Sequence, residues 1–517
     1  MTTLIEFLGL KGNPFASYVA ENEPEIEYYF IRPQYYSTVL DRGNNSQSLI
    51  LFGARGAGKS ATRLAYYKNA IASRMSNKST PLVIILDDFS RILDKGLNKV
   101  DLGSFVSEIG YLVVESILLW LAELSEDERK IYLEVLNKEE EANAIELVKN
   151  YYLILPELVR NSTISEPLKL LDQAWYKRGG VWVSSRWNDI VKIIANIAQG
   201  ITKKQTEIDV DIAQPLSDLL KRGSSEWNNA VYARAILLKF VRFARTFGFT
   251  GVTVLVDKAD ETTVTNNSAV STASLLYPIL SSTQLLEVEG FGWLFFLWDL
   301  LEKPYSSDQK IRLDKIANAF IKWEDNYLRE LIEKRLRYFS DGKIQEFSQL
   351  CQTSVNTNSI LNHIIRLSMK SPRELIRIMD TIIREHDDEY NNSLEPTLLT
   401  TETINRALDK YTVDTIRRVF ERKHLQQIKR LSKVNFINRD VQLTFRINDD
   451  TARNRIIVWT DAGIVAQTGT RAAEGGSGGK PAHEYSIVDQ RVKRVIERNL
   501  SLGSDFEQDE FTDQLTA

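Results

Sequence analysis

Cysteine is almost missing from this chain: of its 517 residues only Cys351 is one. A disulfide framework within the chain is therefore excluded, which fits a reducing, cytoplasmic setting. Histidine is nearly as scarce, with four, so a structural zinc site has few ligands to draw on. The opening residues, Met1, Thr2, Thr3, Leu4, Ile5 and Glu6, lack the basic start and long apolar core of a secretory signal. Long hydrophobic runs are also lacking. The two most apolar stretches, 111–124 and 291–301, are shorter than a membrane span and each holds an acid. Both are expected in a buried core, with no membrane association. No repeat of fixed period is present.

What is there is the composition of a folded soluble protein, 43% hydrophobic and 26% charged, long enough for two to four domains. Net charge is only −4 but unevenly spread. Residues 411–500 carry 17 Lys/Arg against 10 Asp/Glu, and residues 501–517 carry five acids and no base. A basic module followed by an acidic tail is expected.

The sharpest motif is residues 53–60, Gly-Ala-Arg-Gly-Ala-Gly-Lys-Ser, a full G-x-x-x-x-G-K-[ST] phosphate-binding loop. Gly53, Ala54, Arg55, Gly56, Ala57, Gly58, Lys59, Ser60 and Ala61 are the candidate ATP-binding residues. Glycines let backbone N–H groups turn inward around phosphates. Lys59 would reach the β and γ phosphates, and the Ser60 hydroxyl would ligate Mg²⁺. The context agrees: an apolar strand at 48–52 leads in, and helical sequence follows, so the phosphates would sit at a helix N-terminus.

Such a loop needs a second strand that ends in an acid and orders the Mg²⁺ shell. Two strands qualify, one ending at Asp87 and one, 251–257, ending at Asp257. Asp257 is preferred, because Asp260 and Glu261 follow on the turn. Asp257 would hold Mg²⁺ through water, and Asp260 or Glu261 would polarise the attacking water. A third strand, 292–297, ends near Asp299, an unusual acid at a γ-phosphate sensor position. Arginines are expected to complete the site, since charge spreads over the γ-phosphate oxygens in the transition state. Arg373 follows Ser371 and Pro372, which look like an N-cap and first turn; Arg335 and Arg337 are the other candidates. The aromatic lead-in at 28–33 is read either as an adenine cover or as core packing.

Beyond residue 411 the pattern is helix, helix (448–459, capped by Asn448 or Asp449), strand (463–468), a Gly-rich loop (472–479), strand (483–488) and helix (489–498). Helices followed by a β-hairpin resemble a winged helix. Arg453 and Arg455 then lie near a recognition helix, and Arg471 and Lys480 flank the wing. That placement suits DNA phosphates, with protein docking as the alternative.

Together, the P-loop at 53–60, the acids Asp257, Asp260 and Glu261, and the helix start at Ser371, Pro372 and Arg373 resemble the AAA+/STAND branch of P-loop ATPases, near the origin-recognition-complex type. The D-x-x-D-E spacing looks more like STAND and NACHT proteins. The lead-in residues Asn13, Pro14, Phe15, Tyr29 and Phe30 are similar to those of bacterial ATPases of this branch, several of which belong to antiphage defence operons. The resemblance implies an α/β fold with a parallel sheet of order 5-1-4-3-2, a helical lid carrying Arg373, and a winged helix.

It also implies ATP hydrolysis with Mg²⁺, a homo-oligomer and a separately encoded effector protein. The corresponding division is 1–102 lead-in and first half of the core, 103–229 helical insertion with a break near 179–180, 230–305 second half of the core, 306–410 lid, 411–500 basic module and 501–517 tail. Function then reads as an ATP-driven molecular switch of antiphage defence. The alternatives are a DNA-binding ATPase of replication, repair or transposition, and a nucleotide-binding scaffold with little turnover.

Overall fold

A computed structural model describes residues 3–23, 25–76, 78–152, 229–390, 397–471 and 481–503. The break near 179–180, the Gly-rich loop at 472–479, Lys480 and most of the acidic tail lie outside the described residues. The chain divides into two compact units: residues 19–322, and residues 1–18 with 323–517.

The first unit is built on a five-stranded parallel sheet: β1 (Leu49–Gly53), β2 (Leu82–Leu86), β3 (Val252–Val256), β4 (Phe291–Trp298) and β5 (Asn318–Phe320). Its order is β2-β3-β4-β1-β5, the order the family resemblance implied. The central strands are buried almost end to end, as expected of a parallel sheet covered on both faces. Period-two alternation divides their side chains. Ile50, Phe52, Trp293 and Phe295 face one core; Leu49, Leu51, Leu294 and Phe296 face the other.

The second face is covered by α1 (Gln34–Asn44) and α2 (Lys59–Met75), through Tyr35, Val39, Tyr66 and Tyr67. The first is covered by α3 (Leu102–Glu123), α4 (Ala230–Thr246) and α5 (Ala269–Leu280). Asp101 caps α3 by accepting from Ser104 N at 2.8 Å. Each large apolar side chain in these layers contributes about 1.5–3 kcal/mol.

The structure differs from the sequence reading in three places. α3 runs 22 residues, so this apolar helix is long enough to span a membrane. It is apolar nearly all round because it is a core helix, with 78% of its most apolar window buried and Val113, Ile117 and Leu121 at or near zero exposure. It packs with β2 and α4 in one core, whereas the sequence reading began the insertion at residue 103. β5 is a strand within a stretch read as helical; it is three residues long, too short to show a period.

In the second unit the helices α6 (Asp325–Phe339), α7 (Thr357–Leu367), α8 (Pro372–Tyr390) and α9 (Thr401–Val419) pack around Ile332, Leu336, Ile378 and Ile382. Residues 1–18 belong here rather than with the core strands. Asp380, buried on α8, accepts from Asn13 Nδ2 at 2.7 Å and from the Tyr18 hydroxyl. The C-terminal part has α10 (Arg422–Leu431), β6 (Asn435–Ile437), α11 (Asn438–Phe445), α12 (Asp449–Asp461), β7 (Val465–Arg471), β8 (Ala482–Ile487) and α13 (Gln490–Glu497).

Its sheet is antiparallel, order β6-β8-β7, over a core of Phe436, Ile456, Trp459 and Val492. This is the wing expected from the sequence, with β6 and α11 added. Asn448 is the cap of α12, accepting from Thr451 N at 2.9 Å. Arg494 on α13 donates to Asp409 at 2.8 Å and to His363 Nε2 at 2.5 Å, tying the wing to α9 and α7. Burial, followed by the neighbouring Arg494, pushes His363 down to about 4. It therefore stays neutral and can accept from the guanidinium.

Candidate functional site

Every strand of the first unit's sheet is parallel, so the carboxyl ends of β1, β2, β3 and β4 share one edge. That edge is where α/β sheets hold ligands. The P-loop leaves β1 there. Gly56 and Gly58 take φ of +76° and +90°, conformations that cost a side chain bearing Cβ. Gly58 stands at the N-cap of α2 without a side-chain cap, and a helix N-terminus of this kind favours an anion. Lys59 Nζ folds back onto the carbonyls of Gly53 (2.8 Å) and Ala54 (3.2 Å), inside the loop it would share with phosphate.

The structure places the Ser60 hydroxyl beside the Asp257 carboxylate, where it helps to hold that acid's charge. Asp257 is almost fully buried, and its Oδ2 has no aligned hydrogen bond. Burial pushes its carboxyl above the ordinary range, against the pull of Arg63, Ser60 and Lys59. A buried, under-partnered carboxylate oxygen beside a serine hydroxyl at the phosphate loop fits Mg²⁺. That ion keeps several waters and takes one or two protein oxygens plus substrate phosphates. Among the described residues no group of three or more His, Cys, Asp or Glu forms an all-protein metal cage.

Asp260 is buried and lies 3.3 Å from Arg55 Nη2; Glu261 is exposed on the same turn, its N–H donating to Lys258 O at 3.0 Å. Asp299 begins the short helix after β4. Tyr29 and Ile31 of the aromatic lead-in are buried, while Tyr28 is exposed.

Arg63 was missed by sequence reasoning. It sits one helical turn after Lys59 on α2 and is almost completely buried. Its guanidinium is shared by three carboxylates from three elements: Asp87 at 2.7 Å, Glu21 at 2.7 Å and Asp257 at 3.1 Å. The Asp257 contact is ionic, without hydrogen-bond alignment. Lys258 adds a second cation, 3.0 Å from Glu21. Burial works against the Glu21 charge, but Arg63 and Lys258 hold it below the ordinary range. Asp87 and Asp257, weighed as rivals from sequence, thus share one arginine. The available signal was an arginine four residues after Lys59, on the same helical face.

The remaining candidates lie in the other unit and are described within it. Arg335 is buried on α6, with Nη1 donating to Pro14 O at 2.6 Å. Arg373 is half-buried on the first turn of α8, where Ser371 Oγ accepts from Glu374 N at 3.3 Å. In the winged-helix part Arg453 pairs with Asp449 at 2.6 Å, Arg455 stacks 4.3 Å over Phe445, and Arg471 pairs with Glu484.

No protein-family model matches the chain, and no curated protein matches it. Two solved structures from Aeropyrum pernix are similar in fold. The Orc1 protein in complex with DNA is 9% identical, with 94% of this chain and 97% of that chain covered, at a TM-score of 0.37. The Orc2 protein in its ADPNP–ADP complexes is 9% identical, with 91% and 94% covered, at a TM-score of 0.38. At this identity and these scores neither likeness transfers a ligand or partner to this chain.

Proposed function

We propose that the protein is a Mg²⁺-dependent ATPase that works as a conformational switch. The observation that carries the reading is a P-loop whose Lys59 is turned onto its own carbonyls, with the buried Asp257, its Oδ2 without a hydrogen bond, at the same carboxyl edge of the sheet. In this reading Lys59 and the N–H groups of residues 56–61 hold the phosphates. Ser60 and, through water, Asp257 hold Mg²⁺, which neutralises charge on the β and γ phosphates. Asp260 or Glu261 orients the water. Arg373 and Arg335 are proposed as the lid's contribution, within a homo-oligomer ordered by ATP.

Phosphate release from ATP is expected from the purified protein, with loss of on the order of 10²-fold or more in Lys59→Ala and Asp257→Ala. Equal release by all three proteins sinks the reading.

A DNA-contacting role is favoured over control of a separately encoded effector in antiphage defence. It is supported by the winged-helix build of residues 422–497 and by the excess of basic residues there. Arg453, Arg455, Arg471 and Lys480 are the proposed phosphate contacts. The STAND-like D-x-x-D-E spacing is the feature that keeps the defence setting as the second reading.

A further inference from the structure

Arg55 stands inside the phosphate loop itself. Ala57 N donates to Ala54 O at 3.1 Å, closing a turn with Arg55 and Gly56 at its centre. Gly56 supplies the positive φ that the third residue of a type II turn requires. The residue before Arg55 provides a carbonyl for Lys59 Nζ, 3.2 Å away. The arginine therefore springs from the corner of backbone that wraps the position of the terminal phosphates.

Its side chain is held to one side. Nη2 donates to Asn267 Oδ1 at 2.6 Å and lies 3.3 Å from Asp260 Oδ2, and the guanidinium lies 4.3 Å over the Trp298 ring. Asn267 is placed for this by a left-handed backbone, φ +59°, and by its own N–H donating to Asp260 O at 2.9 Å. The side chain of Arg55 is still 44% exposed. Its other guanidinium N–H groups have no partner among the described residues.

We propose that Arg55 is a catalytic arginine supplied by the loop itself, which leaves Asp260 and Asn267 for the γ-phosphate when a nucleoside triphosphate binds. The inference rests on the ATPase reading above. A half-exposed ion pair is weak and screened, whereas a guanidinium fork on phosphate makes charge-assisted, paired hydrogen bonds. The exchange also takes the cation away from Asp260 at the moment that carboxylate is needed beside the water. In the step it serves, the water oxygen bonds to the γ-phosphorus as the bond from that phosphorus to the bridging oxygen breaks. The bridging oxygen leaves with the electron pair on ADP, and the water proton passes to Asp260 or to the departing phosphate. Arg55 meets the charge that gathers on the equatorial oxygens.

Arg55→Ala is expected to lower kcat by roughly 10²-fold or more, with KM for ATP within about threefold and ADP affinity unchanged by calorimetry. Arg55→Lys keeps the charge without the fork and should fall between. Asn267→Gly tolerates the same backbone and removes the holding oxygen. It should act in the opposite direction, raising affinity for a slowly hydrolysed ATP analogue relative to ADP by roughly threefold. If Arg55→Ala leaves kcat within threefold, or lowers ADP and ATP affinity together, the proposal is overturned. The Lys59→Ala control separates the two claims. Hydrolysis by wild type that is lost in Lys59→Ala but kept in Arg55→Ala removes only the role of Arg55. Hydrolysis equal in wild type and Lys59→Ala removes both.

Discussion

At the scale of single residues, the first unit turns on a charge balance in a space with little water. Glu21, Asp87 and Asp257 converge on Arg63, with Lys258 against Glu21. A buried ion network adds little net stability when intact, but removing one member leaves the rest uncompensated, at about 3–5 kcal/mol. Arg63→Met keeps most of the volume and removes the cation. Its urea unfolding free energy should fall by that scale, and Arg63→Lys should not fully restore it, because a compact ammonium lacks the planar guanidinium fork that reaches Asp87, Glu21 and Asp257 at once. An unchanged midpoint in Arg63→Met would mean the arginine is a bystander. Sequence spacing brought out Lys59, Ser60 and Asp257, since each belongs to a local motif. It did not bring out Arg63 or Glu21, because their partners lie on other elements and only tertiary packing makes them meet.

At the scale of elements, the core strands could be read directly. A parallel strand covered on both faces is an uninterrupted apolar run, and β1, β2, β3 and β4 all have that form. The wing hairpin was legible from its flanking turns. β5 and β6 have three residues each, fewer than two full alternations, and so left no pattern. The apolar run at 111–124 gives only part of α3, which starts at Leu102 and carries Glu108 and Glu115 within it. Both are buried, Glu108 against Arg91 at 2.6 Å and Glu115 accepting from the Tyr111 hydroxyl at 2.5 Å.

Burial pushes the Glu115 carboxyl up to about 7. Between its ordinary value and about pH 7 the folded chain keeps a proton that the unfolded chain has released. Stability therefore falls as pH rises through that window, by on the order of 3 kcal/mol. Glu115→Gln should unfold at higher temperature than wild type at pH 8 and show a flatter pH dependence, with the part due to Glu108 remaining. A variant with the wild-type pH profile would place that dependence elsewhere.

At the scale of the whole molecule, the chain forms two compact units. One carries the P-loop, Ser60 and Asp257; the other carries Arg335, Arg373 and the winged helix. The N-terminal lead-in belongs to both, since residues 1–18 pack with the second unit and Glu21 is anchored on Arg63 in the first. In the winged-helix part, Arg453 and Arg471 are already paired with Asp449 and Glu484, but such surface pairs are worth only about 0–1 kcal/mol and can yield to phosphates. Duplex DNA binding should weaken steeply with salt and fall in the double variant Arg453→Ala and Arg455→Ala. No binding at low salt would turn the module into a protein-docking element.

The central claim is that the edge holding Lys59, Ser60 and Asp257 hydrolyses ATP, and phosphate release with and without Mg²⁺ tests it most directly. The account predicts turnover by the wild-type protein that stops when Mg²⁺ is chelated and is lost in Lys59→Ala. Release that is the same with or without Mg²⁺, and the same in both proteins, would contradict it.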